Sequence, residues 1–78
     1  MKVDLTRLER IDFLIRTKST GTPREFAARL GLSIAAWYNY RDEMQDWGAK
    51  IAYSKSRRTY YYIETGLFKI GFLKELGD

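Results

Sequence analysis

The apolar residues of this chain change their spacing at Gly48, and that change limits the folds open to it. Before it, hydrophobic side chains return every three or four positions, the period of a helix with one buried face. After it, Ile51, Tyr53 and the run from Thr59 to Ile63 are β-favouring residues in short clusters, as strands with alternating faces require. A chain of 78 residues has room for one modest core, so helices and strands must share it. The expected fold is mainly α with a small β-hairpin, a three-helix core followed by two strands. Residues 1–64 would form this domain and 65–78 an apolar C-terminal extension.

A first helix is expected over 2–18, with Leu5, Leu8, Ile11, Leu14 and Ile15 as its stripe and Phe13 on a second covered side. The charged residues between them, Asp12 and Arg16 included, read as a solvated face. Ser19 to Thr22 break the pattern as a linker. Thr22, Pro23 and Glu25 then supply a complete helix start: an N-cap hydroxyl, a proline at N1 whose missing N–H costs nothing, and an N3 carboxylate able to reach back. The short helix buries Phe26, Ala27 and Leu30, and Gly31 turns the chain. Ser33 caps a longer helix, 33–47, on which Trp37, Tyr40, Met44 and Trp47 form one stripe, and Gly48 ends it. Ala27, four residues before Gly31, allows the two helices to cross closely, and Leu32 and Trp37 plug the space between them. Short helix, glycine turn and longer helix make a helix-turn-helix.

A turn over Lys55 to Arg58 pairs Tyr53 with Tyr60 and Ile51 with Tyr62. Those four side chains then share the face that closes over the helices, while Ala52 and Tyr61 point away. Residues 1–48 hold eight basic and seven acidic side chains, and 49–64 hold four and one. The net charge of +4 therefore sits largely on the hairpin, in Lys50, Lys55, Arg57 and Arg58, which admits a nucleic-acid partner.

The chain contains no histidine and no cysteine, which removes the usual general base, thiolate metal sites and disulfides. With no glycine-rich loop or nucleophile–base pair either, no enzyme activity, cofactor, metal or small-molecule ligand is expected. No apolar run reaches the length of a membrane span, and the N-terminus lacks a signal-peptide core, so the cytoplasm is the expected compartment.

With the stretches RLERIDFLIRTKSTGTPREFAARLGLS and IAYSKSRRTYYY and the capped helix between them, the chain resembles the DeoR/WYL-type winged helix-turn-helix domains of bacterial transcriptional regulators, over about residues 5–63. In larger members a sensor domain follows the wing; here the domain is expected to stand alone. The resemblance implies a small double-stranded-DNA-binding protein, a transcriptional regulator or accessory factor. Helix 33–47 would lie in the major groove, with Ser33, Ala35, Ala36, Tyr38 and Asn39 along it, and Arg24 joins this DNA-binding set. Asn39 could read adenine and the alanines thymine methyls, while Lys55, Arg57 and Arg58 on the wing would hold phosphates. Where relatives often carry arginines and a threonine just after the cap, this chain has Ile34, Ala35 and Ala36, and Arg41 replaces a usual aliphatic residue.

The alternative is a winged helix used as a protein-interaction module. Tyr61 with Phe68, Ile70 and Phe72 would then supply an interface, and the same C-terminal stretch could join two copies into a homodimer on paired half-sites. The competing expectation folds Phe68 and Phe72 back as a third strand or a plug on the first helix.

Overall fold

The computed structural model describes residues 4–63. Three helices, α1 (Leu5–Arg16), α2 (Pro23–Leu30) and α3 (Ile34–Asp46), precede the antiparallel strands β1 (Ile51–Ser54) and β2 (Thr59–Tyr62). The expected composition of elements, mainly helical with a two-stranded hairpin, is therefore present. Phe68, Ile70 and Phe72, and the whole extension 65–78, lie outside the described residues.

Each helix starts on a polar side chain. Asp4 Oδ1 accepts from the Thr6 N–H at 3.0 Å and Ser33 Oγ from the Ala36 N–H at 3.1 Å. On α2 the capping box is complete: Glu25 N–H donates to Thr22 Oγ1 at 3.2 Å, and Thr22 N–H to Glu25 Oε1 at 2.9 Å. All three helices end with the same pair of backbone bonds, in which the two residues after the last turn reach back to successive carbonyls. After α2 these are Gly31 N to Ala28 O and Leu32 N to Ala27 O, and after α3 Gly48 N to Gln45 O and Ala49 N to Met44 O. After α1 the same role falls to Lys18, bonded to Ile15 O, and Ser19, bonded to Leu14 O. Lys18 takes φ 54° to do so, a left-handed conformation that glycine adopts more cheaply. For this reason α1 is shorter than expected: Asp4 caps its start, and Thr17 rather than Lys18 closes it.

One core joins all five elements. Leu8, Ile11 and Ile15 of α1, Phe26, Ala27 and Leu30 of α2 and Trp37, Tyr40 and Met44 of α3 are buried with Ala49, Ile51, Tyr60 and Tyr62. Leu32 packs against this cluster at the α2–α3 turn. The stripe on α3 stops at Met44. Trp47 is 39% exposed because it is the C-cap residue, where the chain already turns away. Leu5, in the first turn of α1, is exposed as well, and Phe13 is 63% exposed with no second covered side among the described residues.

The hairpin has the expected register, Ile51 opposite Tyr62, Ala52 opposite Tyr61, Tyr53 opposite Tyr60 and Ser54 opposite Thr59. Its inner face docks through rings. Trp37 meets Phe26 edge-on at 4.6 Å and Tyr60 at 5.1 Å, and Tyr53 lies 5.0 Å from Tyr60. Such pairs add roughly 0.5–1.5 kcal/mol each beyond the area they bury. The Trp37 indole N–H has no partner that meets hydrogen-bond geometry, although it sits close enough to the Tyr60 hydroxyl to favour the phenolate. Burial outweighs that contact and holds the Tyr60 hydroxyl above its ordinary pKa.

Two polar ties complete the assembly. The 19–22 linker is no passive connection: Thr20 is fully buried against Thr59. Thr20 N–H donates to Thr59 Oγ1 at 3.3 Å and Tyr60 N–H to Thr20 Oγ1 at 2.8 Å. A side chain thus satisfies the outer edge of β2 where a third strand would otherwise lie. On the other side, Tyr62 Oη donates to Asp12 Oδ1 at 2.7 Å. Asp12, expected on a solvated face, is instead a fixed acceptor between α1 and β2, with Arg16 Nε 3.0 Å from each of its oxygens. Burial first, then the bond to the Asp12 carboxylate, pushes the Tyr62 phenol above its usual pKa.

Candidate nucleic-acid interface

The α2–α3 turn joins the end of α2 to the capped start of α3. Gly31, at φ 70°, makes the turn, and Ala27, almost fully buried, sits where α2 and α3 pack together. Ser33 at the cap and Ala35, Asn39 and Asp42 on α3 are exposed, while Trp37, Tyr40 and Met44 face inward. The expected presented face is present in that part, but it is narrower than the sequence suggests. Ala36 and Tyr38 are half-buried, and Tyr38 packs against the core. The Arg41 guanidinium lies over the Tyr38 ring, 4.4 Å from its centroid, and reaches Asp42 at 3.2 Å. A cation–π pair of this kind explains why an arginine is tolerated at position 41: its stem covers an aromatic edge and its charge stays wet.

Ser33 spends its lone pair on the Ala36 N–H and keeps an O–H to donate outward. Asn39 is exposed, with both amide groups available. Arg24 projects from the first turn of α2 and is exposed.

At the hairpin tip, Lys55, Arg57 and Arg58 are all exposed, but they are not equivalent. Arg57 has its backbone N–H held by Ser54 Oγ at 3.3 Å, which fixes the start of the turn. Arg58 adopts φ 52°, the left-handed step that returns a four-residue loop to its strand. Its charge acts on Glu25, whose carboxyl lies below its ordinary pKa mainly because of the Thr22 backbone and side-chain bonds, with Arg29 and Arg58 adding smaller attraction.

The cation overlooked in the sequence is Lys18. Together with Ser54, Arg57, Thr59 and Tyr61 it lines a concavity of about 220 Å³ on the outer face of the hairpin. Nothing in the local pattern announces it, since a lysine after a helix normally reads as a dipole complement. Tyr61, a candidate interface residue, is half-buried in that concavity.

Among the described residues, no helix is long and apolar enough to cross a membrane, and no group of carboxylates could hold a metal ion. Compared with family models, curated proteins and solved structures, the chain gives no match.

Proposed function

We propose that this chain is a small duplex-DNA-binding protein of the winged helix-turn-helix type, acting as a transcriptional regulator or accessory factor. In this reading α3 enters the major groove, with Asn39, Ala35 and Ser33 toward the bases, and the hairpin is the wing that grips the backbone. Arg24 adds a phosphate contact from α2. The observation that carries the proposal is the placement of exposed cations on a hairpin packed against the helices. Trp37, Phe26 and Tyr60 hold the hairpin against α2 and α3, so its basic tip keeps a constant position relative to the helix pair. Exposed cations on a hairpin that shares a core with the helix pair suit a duplex, whose phosphates fix register while base edges carry sequence.

The experiment is the salt dependence of binding to a duplex. Each neutralised phosphate adds about −0.9 to the log–log slope, so replacing Lys55, Arg57 and Arg58 together with alanine should flatten it by about 2.7. Each single variant should flatten it by about 0.9. An unchanged slope in the triple variant would reduce the tip to a solubilising edge.

A second reading, a winged helix serving as a protein-interaction module, draws support from Phe13. An aromatic ring 63% exposed on α1 is an apolar contact that groove binding by α3 leaves unused.

A further inference from the structure

We propose that the concavity between the α1–α2 linker and the outer face of the hairpin is a phosphate site, built by Lys18 and Arg57 and walled by Tyr61. It would take a phosphate ester whose sugar or base lies on the Tyr61 ring. Lys18 enters it from the linker and Arg57 from the hairpin tip, with Ser54, Thr59 and Tyr61 lining the floor and wall. All five carry a cation, a hydroxyl or an aromatic ring, and among the described residues no carboxylate lines it. Neither Lys18 nor Arg57 takes part in the ion pairs among the described residues, so both charges remain to be neutralised. An ammonium and a guanidinium on one concavity, beside the Ser54 and Tyr61 hydroxyls, match the several acceptor oxygens of a phosphate, while the Thr59 hydroxyl is committed to Tyr60 O.

The two walls are held before any ligand arrives. The buried Thr20–Thr59 tie clamps the linker to β2, Arg29 Nη1 donates to Ser19 O at 2.7 Å, and Ser54 Oγ holds the Arg57 backbone. Lower ordering cost on binding follows from such fixed walls. Lys18 also occupies a left-handed position at φ 54°, where glycine would be cheaper. The fold carries that strain with a lysine in place, and strain of this kind gathers at functional positions.

This site shares Arg57 with the wing, but Lys18 and Tyr61 lie outside the groove-binding set, and its binding of a monophosphate does not require α3 to enter a groove. Tyr61 alternates with the core residues Tyr60 and Tyr62 along β2, so the concavity opens on the hairpin face turned away from α3. Neither Ala35 nor Asn39 lines it.

The test follows backbone amide shifts of the full chain during titration with adenosine monophosphate, inorganic phosphate, adenosine and a thymidine hexanucleotide. The phosphate-bearing probes should move the amides of Lys18, Ser54, Thr59 and Tyr61 to saturation, and adenosine should not. Lys18→Gly should weaken adenosine monophosphate roughly five- to tenfold, the loss of one charge-assisted contact at an exposed site, while its melting temperature holds or rises because the strain is relieved. Tyr61→Ala should weaken adenosine monophosphate and spare inorganic phosphate. A hexanucleotide bound about tenfold more tightly than the monophosphate assigns the site to strand phosphates; equal or weaker binding assigns it to a free phosphate ester. Shifts spread evenly over all the basic residues, or an unaltered affinity in a folded Lys18→Gly chain, would overturn the proposal. A failure to bind duplex DNA would leave this titration unaffected, so the two readings fail separately.

Discussion

Removing one phenolic oxygen, in Tyr62→Phe, isolates the contact that ties the last strand to the first helix. Tyr62 Oη donates to the Asp12 carboxylate at 2.7 Å, and hydrogen bonds to charged groups contribute roughly 1.5–3 kcal/mol. Two features place this one at the lower end. Arg16 Nε already lies 3.0 Å from both Asp12 oxygens, so the carboxylate is not orphaned by the change. In addition, 16% of the Asp12 side chain still reaches solvent. The ring itself stays, and with it the Arg16 guanidinium 5.0 Å from its centroid. The expected loss is therefore about 1.5 kcal/mol, which for a domain of this size corresponds to a fall in Tm of about 6–12 °C. Asp12→Ala removes the same bond plus an i,i+4 ion pair contributing roughly 0.3–0.5 kcal/mol. In the double-mutant cycle the pair should show a coupling of about 1 kcal/mol or more. Urea denaturation followed by tryptophan fluorescence reads this directly, since Trp37 is buried in the core. A coupling within about 0.3 kcal/mol of zero, the range of independent sites, would refute the reasoning.

The raised pKa values of Tyr60 and Tyr62, both caused first by burial, predict alkaline weakening. Below the unfolded tyrosine pKa of about 10 both states are protonated; above it the unfolded chain releases protons that the native state keeps, so stability falls as pH rises. Urea midpoints between about pH 8 and 11 should show that fall, and Tyr62→Phe should make it shallower. Thr59→Val keeps shape but leaves the buried Thr20 N–H without its acceptor, and should cost roughly 1–3 kcal/mol by the same denaturation assay. Sedimentation of the full chain and of a version ending at Thr65 tests the homodimer: association at tens of micromolar in the longer chain alone supports it, and two monomers reject it.

The parts of the fold that local chemistry decides are legible in the residues themselves. Thr22, Pro23 and Glu25 form their cap within four consecutive residues, and Gly31 and Gly48 mark turns because only a left-handed step closes them. The hairpin register follows from the pairing of Ile51 and Tyr53 with tyrosines at matching distances across one turn. What escaped is contact between side chains far apart in sequence. Thr20 and Thr59, like Asp12 and Tyr62, belong to no period, and each alone looks like a solvated polar residue. Trp47 was misplaced for a related reason: spacing continues a stripe past the point where the helix has ended. Lys18 shows the same limit at the candidate site, since it joins Arg57 only once the linker is pinned to β2. The tip cations, by contrast, stand out as a charge cluster, although the left-handed conformation of Arg58 does not.

The bond between Asp12 and Tyr62 spans 50 residues, and α1 packs more broadly on β2 than on α2. During synthesis α1 leaves the ribosome first, yet the strand that covers it comes last among these elements. Closing so long a loop is slow relative to helix growth, so α2 and α3 can pair through their own aromatic contacts while the apolar stripe of α1 waits. A nascent chain halted before Thr59 would hold that stripe uncovered, in reach of chaperones and of other unfinished chains.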